Sequence, residues 1–289
     1  MKQHLIIGFG QWSKKIINFL QKKNLYSKIY VKKRQYYFQY GKKEKITDKN
    51  FSKIKKNIDS IHICTPLDSH YNYLKKNIKI RKIIVEKPFL ESVNQINKIQ
   101  NINLNNNLII VNYTYLFYPF INNLKKNLTS KENKKIIINF SKKNNFYRRK
   151  NDCLNDWLDH PLSIILYSFK SFSKFKIVEK TFIKKKKGTY EKLILNYYYD
   201  KLIVQIRINN LRINKKNILI YGNAKKTIYD FKTNSVLMGK KKIIKYKKTS
   251  FEHLYLTLKN HKRLSFQNYN FHKLIVKERK KILKEICNV

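Results

Sequence analysis

The chain has 289 residues and a formal net charge of +48, and 42% of its residues are hydrophobic. That apolar share excludes a disordered tail despite the charge, and the length admits one large domain or two ordinary ones with their own cores. No apolar run approaches a membrane span, and three cysteines at Cys64, Cys153 and Cys287 fit neither a disulfide framework nor a zinc site, so a reducing cytoplasm is the expected setting.

Short apolar runs alternate with helical patterns in the first part of the chain. Gln3 to Ile7 reads as a strand, followed by Gly8-Phe9-Gly10 and a helix from about Trp12 to Lys23. Lys28 to Lys32 and Ser60 to Cys64 read as further strands, and Asp68 to Ile78 as a helix with Asp68 near its cap. Ile83 to Val85 is a strand ending in Glu86-Lys87-Pro88; a helix over Ser92 to Ile102 and a strand over Leu108 to Val111 follow. This alternation predicts an α/β Rossmann domain, a doubly wound parallel sheet, over residues 1–117.

Residues 118–289 change character and predict an α+β domain with a mainly antiparallel, open sheet. A helix near Pro119 to Asn127 precedes a strand at Ile136 to Phe140. Leu202, Val204, Ile206 and Ile208 alternate with Ile203, Gln205, Arg207 and Asn209, the pattern of a half-buried strand. The basic runs at Lys184 to Lys187 and Lys240 to Lys242 adjoin Gly188 and Gly239 and read as solvated hairpin turns. Helices near Phe251 to Asn260 and Asn270 to Ile286 close the chain.

The charge alone points to nucleic acid or an anionic surface. Nearly all of it is Lys, however, spread along a chain also rich in Asn, Ile, Tyr and Phe and poor in Gly, Pro and Ala. An A/T-biased genome gives any protein that composition, so nucleic acid is not the expected partner. The same bias makes the rare residues informative. Two of six glycines fall in the Gly8-Phe9-Gly10 turn, where Gly8 permits a tight turn and Gly10 admits a pyrophosphate to the helix N-terminus formed by Gln11 and Trp12. Ser13 stands where the motif has a third small residue. The acid expected after the second strand is missing; Tyr30-Val31-Lys32-Lys33-Arg34 stands there, and Arg34 suits the 2′-phosphate of NADP. Two more clusters sit at strand ends, Cys64-Thr65-Pro66 with His70 and Glu86-Lys87-Pro88, and a third is Asp156-Trp157-Leu158-Asp159-His160-Pro161.

These signals, in this order and covering the whole chain, resemble the glucose–fructose oxidoreductase and inositol dehydrogenase family (Gfo/Idh/MocA). Three of the four prolines lie in the Thr-Pro, Glu-Lys-Pro and His-Pro segments that carry the resemblance. It implies an NAD(P)-dependent oxidoreductase acting on a sugar, cyclitol or sugar nucleotide, with NADP slightly favoured over NAD. The implied cofactor site comprises Gly8, Phe9, Gly10, Gln11, Trp12, Arg34, Cys64, Thr65, Pro66, His70, Glu86 and Lys87. By the same resemblance Lys87 reaches both nicotinamide and substrate, His160 is the acid/base, and Asp156 orients it or binds a substrate hydroxyl. Pro161 suits a first helical position, which puts His160 beside the cap; an imidazole titrates in the range that proton transfer needs. His70 is expected to pack the crevice, and His4, His62 and His272 to be structural. Ser163 replaces an Asp of many members. No metal site is expected. A homo-oligomer paired through the open face of the second sheet is also implied. The alternative is a catalytically silent dinucleotide-binding protein of the same fold, to which the departures at Ser13, after the second strand and at Ser163 point.

Overall fold

A computed structural model describes residues 2–26, 28–33, 36–42, 45–103, 107–141, 154, 157–185, 188–210, 215–222, 225–239, 242–259 and 266–287. Two compact units emerge: Met1–Asn112 with Thr257–Val276, and Tyr113–Leu256 with Lys277–Val289. The division is discontinuous, whereas the sequence pattern suggests a single cut after residue 117. A linear alternation of strands and helices carries no signal that a late segment returns to an early sheet.

The first unit is built on a seven-stranded sheet in the order β4-β3-β2-β1-β5-β6-β7. Its parallel core comprises β1 (Gln3–Ile7), β2 (Lys28–Lys33), β5 (Ser60–Ile63), β6 (Lys82–Glu86) and β7 (Leu108–Asn112). Strands covered on both faces should be continuously apolar rather than alternating, and Ile61, Ile63, Ile83, Val85, Ile110 and Val111 are all fully buried. Helices α1 (Gln11–Lys22), α3 (Leu67–Asn77) and α4 (Val93–Ile102) bury Ile16, Ile17, Leu20, Leu74, Ile96 and Ile99. One edge departs from an all-parallel sheet. After β2 the chain turns back through β3 (Tyr36–Gln39) and β4 (Lys45–Ile46), both antiparallel, before α2 (Asp48–Lys55). A four-residue strand with three consecutive aromatics gives no period from which to read β3.

At the other edge, β7 has its open backbone met by a side chain. Gln267 accepts from the Val111 amide at 2.8 Å and donates to the Val111 carbonyl at 3.0 Å. The Gln267 amide thus replaces one rung of a missing strand. Tyr269 accepts from Asn103 at 3.0 Å, and the His272 ring lies 4.9 Å from Phe89, which explains why this late segment belongs to the first unit.

The second unit carries an eight-stranded sheet in the order β15-β14-β13-β12-β8-β11-β10-β9. Its strands are β8 (Lys135–Ser141), β9 (Phe175–Lys185), β10 (Gly188–Tyr199), β11 (Leu202–Asn209), β12 (Lys215–Tyr221), β13 (Lys226–Asp230), β14 (Ser235–Met238) and β15 (Lys242–Lys245). All neighbours are antiparallel except β8 and β11. The apolar face expected of β11 is buried, with Val204, Ile206 and Ile208 fully so beside Ile136, Ile138 and Phe140 of β8, but the opposite face is not open: Gln205 is buried too and Ile203, Arg207 and Asn209 are half-buried. Helix α5 (Ile121–Leu128) and α6 (Asp159–Phe169) also belong to this unit, with a 3-10 turn at Thr114–Phe117. Helix α7 (Ser250–Lys259) and α8 (Tyr269–Cys287) each divide between the units. Among the described residues no helix is long and apolar enough to cross a membrane.

Candidate functional site

The β1–α1 turn separates the jobs of its two glycines. Gly8 has φ +98°, and a Cβ there would lie 2.5 Å from the Cys64 carbonyl oxygen. The fold itself therefore requires Gly8, both for its left-handed backbone and for its contact with the end of β5. Gly10 lies at φ −90°, a conformation open to any residue, and nothing stands within 4 Å of its would-be Cβ. The packing thus tolerates a side chain at Gly10; what its absence leaves is access to the backbone at the start of α1. No acidic residue occupies the first turn of α1, and the opening amides of any helix lack intrahelical partners, so this end favours an anion. Ser13, the departure from a third small glycine-like residue, is fully buried and donates to the Gly10 carbonyl at 2.9 Å. It fastens the turn rather than loosening it.

Strands β2 and β5 flank β1 on opposite sides, which makes the β1 end the switch point where ligands of open α/β sheets bind. His70 ties two of the motif segments together there. Its Nε2 lies 2.8 Å from the Thr65 carbonyl, and its Nδ1 lies 3.0 Å and 3.1 Å from the Pro88 and Phe89 carbonyls. Burial lowers its pKa, partly opposed by these bonds. His70 thus braces the two segments against each other. Pro66 is the N-cap of α3, so Asp68 sits inside the first turn rather than at the cap; the Pro66 carbonyl accepts from the Ser69 hydroxyl at 2.7 Å instead.

The Lys87–Pro88 peptide is cis. Just before it, Glu86 lies in register with Asn112 across β6 and β7, and the buried Asn112 amide donates to its Oε1 at 2.7 Å. Removal of the carboxyl from water pushes Glu86 up to about 7, against the opposing influence of Asn112, the Lys87 charge and the Trp12 indole. Cys64 is a free thiol, pushed well up by burial and then by the nearby Glu86 charge. The sequence reading overlooks Asn112. Its signal is a polar residue closing the apolar run Leu108 to Val111, at the level where the neighbouring strand ends in Glu86.

Arg34 lies outside the described residues. At the end of β2, Lys33 stands 5.9 Å from the centre of the Phe9 ring and Lys14 of α1 stands 5.5 Å from it. Lys32 donates to the Tyr37 hydroxyl at 3.0 Å. Two cations, Lys33 and Lys14, thus border the Phe9 end of the turn, while Lys32 lies with Tyr37 and within the influence of Asp48.

In the second unit, Asp156 lies outside the described residues, and His160 is on the first turn of α6. The helix opens two residues earlier than Pro161 would suggest: Leu158 is its N-cap, already in right-handed helical conformation with its amide bonded to Leu154. Pro161 occupies the third helical position, still within the turn that needs no amide. His160 is 6% exposed and ringed by aromatics, with Tyr115 edge-on at 4.6 Å, Phe140 at 5.6 Å and Trp157 at 5.7 Å. Its neighbour Asp159 is no simple cap. It is fully buried and pairs with Arg279 of α8 at 3.5 Å, and burial followed by the Asp159 charge pushes Tyr113 well up. Ser163 turns inward to donate to the His160 carbonyl at 2.8 Å. His4 bonds Ser60 at 2.7 Å, and His62 and His272 are buried in the first unit's core. Among the described residues no group of three or more His, Cys, Asp or Glu could hold a metal.

No family model and no curated protein sequence matches the chain. Solved structures do. The UDP-N-acetylglucosamine 3-dehydrogenase GnnA from Acidithiobacillus ferrooxidans aligns at 12% identity over 97% of this chain and 96% of its own, with TM-score 0.73. A dehydrogenase (MviM) from Clostridium difficile aligns at 13% identity over 99% of both chains, TM-score 0.73. A biliverdin reductase from Synechocystis sp. PCC 6803, solved with biliverdin and NADP+, aligns at 12% identity over 99% of both, TM-score 0.66. At these identities the likeness is one of fold.

Proposed function

We propose that this chain, which has the two-domain fold of the Gfo/Idh/MocA oxidoreductases, is a nicotinamide-dependent oxidoreductase for a sugar, cyclitol or sugar nucleotide. One observation carries the reading: Gly10 is dispensable to the packing, yet it leaves the opening turn of α1 bare to an approaching phosphate. The bound cofactor would supply the hydride acceptor or donor. The residues present fit it: Gly8, Phe9, Gly10, Gln11 and Trp12 for the pyrophosphate, and Cys64, Thr65, Pro66, Glu86 and Lys87 along the strand ends, with His70 as the brace. Lys33 and Lys14 beside Phe9 support a slight preference for NADP, whose 2′-phosphate they would neutralise.

The chain's own groups would manage the proton. The resemblance assigns Lys87 to polarising a substrate oxygen and His160 to acid/base exchange, with Asp156 to orient the imidazole or bind a substrate hydroxyl. A substrate related to that of the sugar-nucleotide dehydrogenase neighbour is the first to try. Copies of the chain would pair through the sheet face of the second unit, where Ile137, Leu219, Ile228, Leu237 and Ile243 form one aliphatic row across five adjacent strands. Ile243 is 60% exposed, and pairing would cover it. Nucleic acid is not a proposed partner, and a reducing interior is the proposed compartment.

Titration with NADH and NADPH tests the reading. Both should bind the parent protein, and neither should bind a folded Gly10→Val variant, whose side chain fills the phosphate's place. Equal affinity in parent and variant refutes the dinucleotide site. Tight cofactor binding with no turnover across a broad sugar and nucleotide-sugar screen makes the chain a silent binder instead.

A further inference from the structure

The dinucleotide reading has a consequence at Glu86, a residue that the proton chemistry above does not use. A dinucleotide spread across a switch point places one half over each half of the sheet. The basic residues beside Phe9 belong to the β2 side. Strands β5, β6 and β7 lie on the other side of β1, so the nicotinamide half falls to the strand ends that carry Cys64, Glu86 and Asn112. The Glu86 carboxyl is fixed there by the Asn112 amide at 2.7 Å and faces the Trp12 indole in the first turn of α1. The ionisable groups that face it are Cys64, just after β5, and Lys87 from the turn after β6; Trp12 and Asn112 carry no charge.

We propose that Glu86 sets the preference between the oxidised and reduced forms of the cofactor, and ties that preference to pH. The inference rests on the dinucleotide reading and goes further. The oxidised nicotinamide ring is a cation and the reduced ring is neutral. A carboxylate at Glu86 therefore favours the oxidised form, and a carboxylic acid there favours the reduced form. Glu86 is poised to take either state, because withdrawal from water raises it to about 7 while Asn112, Lys87 and Trp12 restrain the rise. Oxidised cofactor should release a proton on binding, and reduced cofactor should take one up.

The test uses the full chain. Dissociation constants are measured for NADP+ with NADPH, and for NAD+ with NADH, across neutral pH. Taking the ratio within each pair cancels the ionisation of the 2′-phosphate. Affinity for the oxidised form relative to the reduced should rise roughly tenfold on passing from the acid to the alkaline side, the effect of about one unit of linked pKa. Glu86→Gln, which keeps the shape and removes the titration, should flatten the ratio. Calorimetry of the parent protein in buffers of different ionisation enthalpy gives a second readout that needs no variant: proton release with the oxidised form and uptake with the reduced. A ratio independent of pH, the same pH dependence in Glu86→Gln, or no proton exchange in the parent overturns the inference while leaving cofactor binding intact. Failure of all four dinucleotides to bind overturns the inference and the dinucleotide reading together.

Discussion

Acid should destabilise the first unit. His4, His62, His70 and His272 are each at most 4% exposed, and all four lie in the first unit. Burial lowers the pKa of each below the ordinary 6.5, that of His272 to about 3. An unfolded chain binds protons at these residues near pH 6.5, whereas the folded chain does not. Their contribution to stability is therefore complete above 6.5 and is lost as the pH falls toward the folded values. Glu86 acts in the opposite sense: held at about 7 against an ordinary 4.5, it binds its proton in the folded state and gains stability between those values on acidification. Four histidines act in one direction and one carboxyl in the other, so the net sense is a loss of stability as the pH falls through 6.5; His272, held at about 3, contributes about one proton of that, a slope of about 1.4 kcal/mol per pH unit once the unfolded imidazole is protonated.

The chain offers a clean assay, because its two tryptophans are divided between the units, Trp12 in the first and Trp157 in the second. Trp157→Phe leaves a reporter on the first unit, and Trp12→Phe leaves one on the second. Urea unfolding is followed with each from neutral to acid pH, in salt high enough to screen the charge repulsion of a chain at +48. His272→Phe in the same background should reduce the slope by about one proton, or about 1.4 kcal/mol per pH unit. Stability of the Trp12-reported unit that does not change between neutral pH and pH 5, or an unchanged slope in His272→Phe, would refute the reasoning.

Other expectations concern single positions. Gly8→Ala should lower stability by about 1–3 kcal/mol through strain and contact with Cys64, read as a urea midpoint, while Gly10→Ala should leave that midpoint unchanged. Gln267→Ala leaves the Val111 amide and carbonyl without their partner and should cost about 1–3 kcal/mol; hydrogen exchange should then quicken at Val111 first. Arg279→Met uncovers the buried Asp159 charge and should destabilise the second unit by about 3–5 kcal/mol, visible through Trp157. Once a substrate is found, Lys87→Met and His160→Asn should each lose roughly a hundredfold to ten-thousandfold in turnover, His160→Asn with cofactor affinity kept; parental rates in both variants would make them structural residues.

Much of the first unit was legible because buried parallel strands leave an unmixed apolar signature, and because Gly and Pro are scarce enough here to mark the turns. The alternation in Leu202 to Asn209 likewise identified the buried apolar face of the strand before any contact was known. What escaped the sequence were features defined by partners far along the chain. Asn112 acquires its meaning only from its register with Glu86, and Asp159 only from Arg279, 120 residues later. The hairpin of β3 and β4 was missed for a different reason, since strands of four and two residues are too short to show a period. His160 was placed beside a cap because Pro161 was assigned the first helical position, although any place in the first turn accepts proline.

The bond between Gln267 and Val111 also has a meaning in time. The two residues are 156 apart, and a ribosome adding about 5–20 residues per second needs roughly 8–30 s to make the second after the first. Through that interval β7 is an open strand edge in a nascent chain, able to pair with whatever strand it meets. The first unit, though it begins at the first strand, is among the last parts of the molecule to be finished. A ribosome stalled after the second sheet would release a chain with its β7 edge still uncapped, so aggregation from truncated products should begin at Leu108–Asn112.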